Sequence, residues 1–540
     1  MLDFISFAIF LIIISTTLLL LLSIHHFQKP PHVRRRLNLP PSPFALPIVG
    51  HLHLLSPFLH RSLHDLSSLY GPLFHLRLGS VPCFVVSTPE LAKKFLMTHE
   101  LNFSSRKHSI AIDRLTYDSA FAFAPYGPYW KFLNKLCMSD LLGNRSINHS
   151  LPVRTRELNA FLQLVMKKAN DCEAVNLTKE LSKYTNTIIS QMMIGVTGEA
   201  EEARTLAREV TQIFGEFNVS DFIWVFKNLD LQGIRKRVED IHSRYDALLE
   251  RIITNREHER KSPSLGDRHA KNFLDILLDV SEDDNLNIKC TRDQIKGLIL
   301  DFFTAATDTS AIALEWALAE LINNPRVLQK AQEEIDNVVG KHRLVSESDG
   351  PNLPYIQAII KETLRLHPPL PMIIRKSVQD CMVYGYNIPA NSVLFVNIWS
   401  IARNPEYWES PLDFKPERFL RPENGGPVGL IDVKGQHFQL LPFGTGRRGC
   451  PGSSLAMQEL PAVLGGMIQC FEWKAVNQSG VKMNGDGVVD MTEQPGMTAP
   501  RAHDLVCMPI ARINQLYTLL NRAEQAIREI RNPIQSSPIQ

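Results

Sequence analysis

The sequence predicts a mainly helical fold with a smaller β lobe, built as one large domain. Apolar residues recur mostly at helical spacing, and strand-like runs are short, near Leu76–Ser87 and Val393–Val396. A helical pattern of about 30 residues passes through Gly297–Asn323 without interruption, long enough to cross a whole domain. No second Pro-, Gly- or Ser-rich linker divides the chain after Gly50, so we expect a single domain.

Composition limits the classes of protein to which the chain can belong. Of its 540 residues, 44% are apolar and 21% are charged, which supports a large core and excludes a disordered chain or a small disulfide scaffold. The net charge of +2 lacks the basic excess of a nucleic-acid-binding protein, so no nucleic-acid partner is expected. The eight cysteines form no CxxC pair, which is typical of a reducing compartment and leaves any metal-binding thiolate to act alone.

Residues 1–28 are predicted to form a membrane anchor. Phe4–Ile24 carries no charge over the roughly 20 residues that a helix needs to cross the hydrocarbon core. Only Asp3 precedes this run, whereas Lys29 and Arg34–Arg36 follow it, so the positive-inside bias places the rest of the chain in the cytoplasm. A cleaved signal peptide is the alternative, but no basic residue precedes the run and no small-residue cleavage site ends it.

Three further segments follow the anchor. Residues 29–50 form a basic and proline-rich hinge, since the four prolines of Leu39–Gly50 exclude a helix or a central strand. Residues 51–512 form the main domain, in which Arg256–Asp284 is predicted to be a charged loop containing a short helix. Residues 513–540 form a tail whose apolar positions fit one helical stripe, so that it is either a docked helix or a disordered extension.

The central helix is predicted to begin at a capping box, with Thr291 as N-cap and Gln294 as the third helical residue. Its middle is apolar apart from Asp301, Thr304, Thr307, Asp308, Thr309 and Ser310. Buried polar groups cost free energy unless they are hydrogen-bonded. These residues therefore either serve chemistry or are satisfied within the helix.

The most specialised stretch is Phe443–Gly452. Its glycines let the backbone pass close to a flat object, while Arg447, Arg448 and the helix start implied by Pro451 favour Cys450 as a thiolate. A structural cysteine beside a turn is the alternative. The composition of the ten residues argues against it, and predicts a cradled thiolate.

These residues resemble the haem-binding pattern F-x-x-G-x-R-x-C-x-G of the cytochromes P450, which is met at Phe443, Gly446, Arg448, Cys450 and Gly452. Three more motifs of the family follow in its order: the oxygen-activation stretch at Ala305–Ser310, the E-x-x-R pair at Glu362 and Arg365, and the PERF segment at Pro416–Phe419. The chain thus resembles a membrane-bound plant cytochrome P450, a haem-thiolate monooxygenase, over residues 30–515. The resemblance implies the cytochrome P450 fold, with haem b between the long central helix and the cysteine loop.

The resemblance also implies which residues hold the haem. Cys450 is the iron ligand. The other cofactor-binding residues are Arg448, Arg375, Trp130, Phe443, Gly446 and Gly452, of which the first three bind the propionates. This sequence has Asn134 where the family usually has an arginine, so Asn134, Lys131 or Lys135 is left to make that propionate contact.

Two further groups of residues have roles implied by the family. Glu362 and Arg365, at i, i+3 on one helix face, form with Arg418 a buried network that supports the cysteine loop. Asp308 and Thr309 relay protons to the dioxygen that the haem activates. The substrate pocket, which is mostly apolar, draws on Phe302, Ala306, Leu370, Ile374, Met497 and Thr498.

The segments 212–222, 302–309 and 371–376 resemble the flavone synthase II and flavanone 2-hydroxylase group of the family. This resemblance implies oxidation of a flavanone at C2, to a flavone or a 2-hydroxyflavanone. It further implies electrons from NADPH through a cytochrome reductase, and a single-pass protein of the endoplasmic reticulum membrane with a cytoplasmic catalytic domain.

Other functions remain alternatives at this point. One is an isoflavone-forming or other flavonoid or triterpenoid hydroxylase of the same family, and Thr309 with Ile374 argues against the isoflavone-forming enzymes. Another is a reductase-independent haem-thiolate isomerase, or a haem-based sensor or carrier. The acid and alcohol at Asp308 and Thr309 argue against these, because neither needs a proton relay.

Overall fold

The computed structural model describes residues 13–17, 37–195, 200–261, 271–285, 290–420, 431–476, 488–513 and 519–520. Of the predicted membrane anchor, only residues 13–17 belong to these ranges, and they are helical. The rest of Phe4–Ile24 lies outside the described residues, as does most of the predicted tail. The description below therefore concerns the main domain.

Helices form most of this domain, as the apolar spacing predicts. From residue 37 onward the α-helices are α1 (Leu59–Tyr70), α2 (Pro89–Lys93), α3 (Ile110–Leu115), α4 (Pro128–Leu136), α5 (Asn144–His149), α6 (Leu151–Asn170), α7 (Leu177–Ile194), α8 (Ala200–Gly215), α9 (Ile234–Lys261), α10 (Phe273–Glu282), α11 (Arg292–Asn323), α12 (Pro325–Val338), α13 (Pro354–Leu366), α14 (Ile398–Ile401) and α15 (Ser453–Cys470).

The strands form the smaller part of the fold. They are β1 (Leu73–Leu78), β2 (Val81–Val86), β3 (Val175–Asn176), β4 (Ile373–Lys376), β5 (Cys381–Val383), β6 (Tyr386–Ile388), β7 (Val393–Val396), β8 (Phe471–Ala475) and β9 (Val506–Ala511). The largest sheet has the order β1-β2-β7-β4, in which only the β2–β7 pair is parallel. A second sheet has the order β3-β9-β8, and β5 pairs with β6. The strand-like run near Leu76–Ser87 is thus mainly the β1–β2 hairpin.

The long helix α11 begins at the predicted capping box. The Thr291 side chain accepts from the Gln294 N–H, and the Gln294 side chain accepts from the Thr291 N–H. Its amino-terminal half lies in a core cluster with α8, α9 and α10, and its carboxy-terminal half lies in a second cluster with α7, α13 and α15. Among the described residues α11 is the one helix long and apolar enough to cross a membrane, but this packing makes it the central core helix.

The structure bears on two further sequence predictions. The start of the expected loop, Arg256–Lys261, is the last part of α9, and Arg256 is ion-paired there with Asp275 of α10 at 2.7 Å. The short helix predicted within that loop is α10. In the tail, Leu519–Leu520 are buried in the core cluster that holds the second half of α11, so this part of the tail is docked.

The proline-rich segment packs against the main domain. The Pro41 carbonyl accepts from the His75 N–H of β1 at 2.8 Å, and the Arg77 carbonyl accepts from the His51 N–H at 2.7 Å. The segment therefore continues along the edge of the β1–β2 hairpin. As its prolines predict, it forms neither a helix nor a central strand.

Candidate active site

Cys450 lies in a tight loop that its own hydrogen bonds close. The Cys450 N–H donates to the Phe443 carbonyl at 2.8 Å, and Gly444 and Gly446 take φ values of 69° and 68°, which favour glycine. Helix α15 begins directly after the loop. Burial raises the pKa of the Cys450 thiol, while the backbone N–H groups of Gly452 and Ser453 act in the opposite direction by bonding to the sulfur.

The Cys450 sulfur is largely enclosed by protein, although the residue as a whole is exposed. Ala305 is also exposed, although it lies in the middle of the buried central helix, with Ala306 and Thr309 half-buried beside it. These two surfaces belong to the elements that, by the family resemblance, lie on either side of the haem.

A group of desolvated cations, here called the arginine cluster, lies beside the loop and consists of Arg106, Arg375 and Arg448. Burial lowers the pKa of all three guanidinium groups, to about 10 for Arg106 and about 9 for Arg448. Repulsion from the neighbouring guanidinium groups lowers the pKa of Arg375 and Arg448 further. Three desolvated guanidinium groups so close together would be stabilised by bound anionic groups.

In the described part of the chain the arginine cluster is hydrogen-bonded to backbone carbonyls. Arg106 Nη1 donates to Ile374 at 3.2 Å, Arg375 Nη2 to Arg448 at 3.1 Å, and Arg448 Nε to Ser104 at 3.0 Å. Arg106 Nε and Trp130 Nε1 are buried donors without a partner. The Arg448 guanidinium lies 4.7 Å from the centre of the Trp130 ring.

These residues fit a haem. Unpaired donors and crowded guanidinium groups suit its two propionates, and a lone cysteine in a glycine-rich loop suits its iron. A ligated iron would remove the thiol proton despite the raised pKa, because a coordinating thiol is deprotonated.

Sequence reasoning missed Arg106 and left the contact at Asn134 open. Asn134 carries no charge, and Lys131 and Lys135 are exposed, with the Lys131 amine 5.3 Å from the Tyr126 ring. Arg106 supplies the third cation of the arginine cluster instead. The bridge between Ser105 and Lys376 brings it there, and no local pattern around residue 106 predicts a contact with a residue 268 positions away.

The structure brings Glu362, Arg365 and Arg418 together. Glu362 and Arg365 are fully buried on α13, and their side chains are joined by two hydrogen bonds of 2.7 and 2.8 Å. Arg418 Nε donates to Glu362 at 3.0 Å. Arg365 Nη1 also donates to the Ala402 and Pro411 carbonyls at 2.7 Å each. The network therefore ties α13 to the segment between α14 and the PERF turn.

On the central helix, Asp308 and Thr309 have different surroundings. Thr309 Oγ1 donates to the Ala305 carbonyl at 2.7 Å, on the accessible part of the helix. Burial raises the pKa of Asp308, and the nearby Arg208 and Arg204 of α8 oppose this rise. The alcohol is thus beside the Ala305 surface, and the acid is near the cations of α8.

Asp301 is a second residue that sequence reasoning did not place in the site. Its Oδ2 accepts from the Ala122 N–H at 3.0 Å, which links the central helix to the loop before α4. Burial raises its pKa to about 7, although the backbone N–H groups of that loop and the charges of Arg106 and Arg448 act against the rise. Arg448 Nη1 donates to the Phe121 carbonyl of the same loop at 3.3 Å. The loop before α4 is therefore hydrogen-bonded both to the central helix and to Arg448 of the cysteine loop.

We expect Asp301→Asn to change how stability depends on pH. The pKa of Asp301 rises from 3.8 in the unfolded chain to about 7, so between these values the folded protein holds a proton that the unfolded chain has lost. This group's contribution to the free energy of unfolding therefore falls as the pH rises through that range. An asparagine does not titrate and still accepts from Ala122, so the variant should gain stability relative to the wild type as the pH rises.

Urea unfolding at several pH values measures this difference. Asp240→Asn, at an exposed carboxylate, is the control. Profiles for Asp301→Asn and the wild type that stay parallel from acidic to neutral pH would contradict the prediction.

Some of the segments that carry the predicted pocket residues are in contact with one another. The Ala499 N–H donates to the Pro369 carbonyl at 2.9 Å, which joins the segments of Met497–Thr498 and Leu370. A Cβ on Gly215 would lie 2.7 Å from the Met497 nitrogen, so the end of α8 also meets this turn. Ala306 lies next to the accessible Ala305, and Ile374 pairs with Phe395 in the sheet.

Phe302 has a different environment from the other pocket residues. Its ring packs edge-on against Phe273 of α10, with ring centres 4.6 Å apart, in the core cluster of the amino-terminal half of α11. Packing against Phe273 is therefore enough to explain why an apolar residue lies at this position. A further aromatic pair, Phe123 and Phe214, joins the loop before α4 to α8 with ring centres 5.9 Å apart.

Comparisons with known proteins agree with this geometry. A family model described as Cytochrome P450 matches residues 40–498. A relative named Cytochrome P450 93B2, from Gerbera hybrida, is 60% identical over 486 residues, which cover 89% of this chain and 93% of the relative. A 2-hydroxyisoflavanone synthase of Glycyrrhiza uralensis is 51% identical over 488 residues, which cover 88% of this chain and 92% of that relative. A solved zebra fish cytochrome P450 with progesterone has a TM-score of 0.68 and 25% identity, covering 84% of this chain and 100% of that one.

Proposed function

Because the chain belongs to the cytochrome P450 family, we propose that it is a flavonoid monooxygenase that oxidises a flavanone at C2. Membership of the family makes the chain a haem-thiolate monooxygenase that receives its electrons from a reductase. The observation that carries the substrate class is the 51% identity to a relative named 2-hydroxyisoflavanone synthase, a name that specifies a flavonoid product. The mostly apolar residues predicted for the pocket suit a lipophilic aromatic substrate.

The proposed reaction uses one O2 and two electrons from NADPH. One oxygen atom enters the C2–H bond of the flavanone and the other leaves as water. Loss of a second water from the 2-hydroxyflavanone gives the flavone. Haem held by a thiolate supplies the activation of O2 when it is bound, while the chain's residues hold the cofactor, position the substrate and deliver protons.

A second candidate is the formation of a 2-hydroxyisoflavanone from the same flavanone. The identity to the Glycyrrhiza uralensis enzyme favours it directly. Thr309 and Ile374 are the sequence features that argue for the first candidate. The two reactions give products of the same composition, so mass alone does not separate them.

The test is turnover in microsomes that contain the chain and a reductase. A flavanone with NADPH should give a product with one added oxygen, or a product lacking two hydrogens, whose chromatographic retention matches a 2-hydroxyflavanone or a flavone standard. Retention equal to an isoflavonoid standard would select the second candidate. Omission of NADPH should abolish product, whereas product formed without NADPH would indicate an isomerase. No product from any flavanone would refute the proposal.

We propose that Thr309 and Asp308 deliver protons during this reaction. Thr309 lies on the accessible side of the central helix, and its hydroxyl can donate to a water or to bound oxygen in place of the Ala305 carbonyl. Asp308, with a raised pKa and two arginines of α8 nearby, suits the exchange of protons with the outside.

Thr309→Ala is expected to uncouple NADPH consumption from product formation. Without the hydroxyl, proton delivery fails and reducing equivalents leave as hydrogen peroxide, so the product formed per NADPH should fall by about tenfold or more. The measurement is NADPH, peroxide and product from one incubation. Thr304→Ala is a matched control, because Thr304 donates to the Leu300 carbonyl at 2.8 Å in the same way on the same helix. Equal coupling in the two variants would remove Thr309 from the relay.

Plant cytochromes P450 are in general bound to the endoplasmic reticulum membrane, and we propose the same location here, with Phe4–Ile24 as a single span. Exposed apolar side chains between α8 and α9 support a membrane-facing surface, and the most exposed are Phe217, Trp224, Leu229 and Leu231. The Ser80 N–H donates to the Phe222 carbonyl, which holds this surface beside the β1–β2 hairpin. Fractionation of microsomes from chains with and without residues 1–28 tests the anchor.

A further inference from the structure

The turn that precedes Cys450 is held from outside by a carboxylate that belongs to none of the motifs. Glu100, which follows α2 and the helical turn of residues 94–98, accepts a hydrogen bond from the backbone N–H of Arg447. Its second oxygen is ion-paired with the guanidinium of the same arginine. The Glu100 side chain is only 20% exposed, whereas that of Arg447 is 47% exposed. Bonds from charged groups to backbone N–H donors are among the stronger hydrogen bonds.

Gly446 is shaped to accept this carboxylate. Its φ of 68° is in the left-handed region, and a Cβ at this position would lie 2.3 Å from Glu100 Oε1. A side chain at residue 446 would therefore displace the carboxylate in addition to straining the backbone. The carboxylate in its observed position therefore needs a glycine at residue 446.

The same carboxylate lies beside the arginine cluster. Glu100, Arg375, Arg447 and Arg448 line one small cavity, and the charge of Glu100 opposes the fall in the pKa of Arg375. Within the described chain, Glu100 is ion-paired with Arg447 and with neither of these cluster arginines. The arginine cluster is left free for other anions.

We propose that Glu100 is a positioning residue for the cysteine ligand. By holding the Arg447 N–H, it fixes the Gly446–Arg447 turn, and through the short path to residue 450 it fixes the direction of the Cys450 sulfur. By pairing with the Arg447 side chain, it also balances the charge of a further guanidinium at the cavity that Arg375 and Arg448 line. Loss of the carboxylate leaves a backbone donor unpaired and loosens the loop.

The test compares Glu100→Ala, Glu100→Gln and Arg447→Ala in the holoprotein without substrate. Amide hydrogen exchange in a peptide covering residues 445–450 reports the turn, and the reduced carbonyl spectrum reports thiolate ligation. Glu100→Ala should speed exchange at Arg447 by roughly ten- to a hundredfold and convert part of the thiolate-type spectrum to another form. Glu100→Gln keeps an acceptor for the N–H and should have a smaller effect. Arg447→Ala keeps the backbone bond and should exchange like the wild type.

Two results would overturn the proposal. One is wild-type exchange and spectrum in Glu100→Ala. The other is an effect of Arg447→Ala as large as that of Glu100→Ala, because the ion pair and not the backbone bond would then hold the turn. If Glu100→Ala yields no folded protein, the comparison of Glu100→Gln with Arg447→Ala still tests the proposal. A larger effect in Arg447→Ala than in Glu100→Gln would then contradict the proposal.

Glu173→Ala, at an exposed carboxylate, is the control. None of these readouts depends on a flavanone.

Discussion

Cys450→Ser is expected to abolish the thiolate-type spectrum of the reduced carbonyl complex. A serine hydroxyl keeps the size of the side chain and leaves the backbone bond from residue 450 to Phe443 in place, but it does not supply the soft anionic sulfur that binds haem iron in this family. The loss should be complete, and monooxygenase turnover should be lost with it. The measurement is the carbonyl difference spectrum of reduced microsomes at matched protein content.

Cys172→Ser is the matched control for this substitution. Cys172 is exposed, lies in the turn after α6, and has no part in the loop. Its variant should keep the wild-type spectrum. An unchanged spectrum in Cys450→Ser would refute the assignment of the iron ligand, whereas loss in both variants would indicate a general effect of removing cysteine.

Arg365→Ala is expected to lower the free energy of unfolding by about 3 kcal/mol, because it breaks a buried ion pair and leaves the Glu362 carboxylate with one cation in place of two. Glu362 is fully buried, and with Arg365 gone it would keep only the Arg418 and Lys415 N–H contacts. The Ala402 and Pro411 carbonyls would also lose their donor. Urea unfolding of the holoprotein, together with the yield of haem-containing protein, measures the effect.

The controls for Arg365→Ala separate burial from charge. Arg114→Ala removes an arginine whose ion pair with Glu239 is about half exposed, and it should cost little. Arg365→Lys keeps the charge but cannot reach Glu362 and the two carbonyls together, so we expect it to be destabilising as well. Stability equal to the wild type in Arg365→Ala would show that the network is dispensable.

The features that the sequence predicted well are those decided by neighbours along the chain. The capping box of the central helix needs only Thr291 and a glutamine in its first turn, and both hydrogen bonds are present. The pair Glu362–Arg365 follows from i, i+3 spacing on a helix. The specialised loop around Cys450 was visible in composition alone, since its glycines and proline restrict the backbone locally.

The features that the sequence did not predict depend on distant contacts. Arg106 belongs to the arginine cluster because a bridge between Ser105 and Lys376 places it there. The ring that packs against Phe302, that of Phe273, belongs to the separate helix α10, and the place of Phe302 in the pocket stays a prediction. Arg256–Lys261 continues α9 with residues that are mostly good helix formers, and Arg256 is ion-paired with Glu259 in the same helix and with Asp275 of α10.

By itself, the sequence determined the helical character of the chain, the start of the central helix and the specialised loop that carries Cys450, whereas the other haem-binding residues are implied by the family resemblance. The first three follow from spacing, side-chain chemistry and backbone restriction, which act over a few residues. Only the tertiary structure decided which polar groups are desolvated and what faces them: the crowded arginines, the raised pKa of Asp301 and the carboxylate of Glu100 on the turn before Cys450. Burial and electrostatic interaction depend on everything packed around a group, so they are set only when the whole domain has folded.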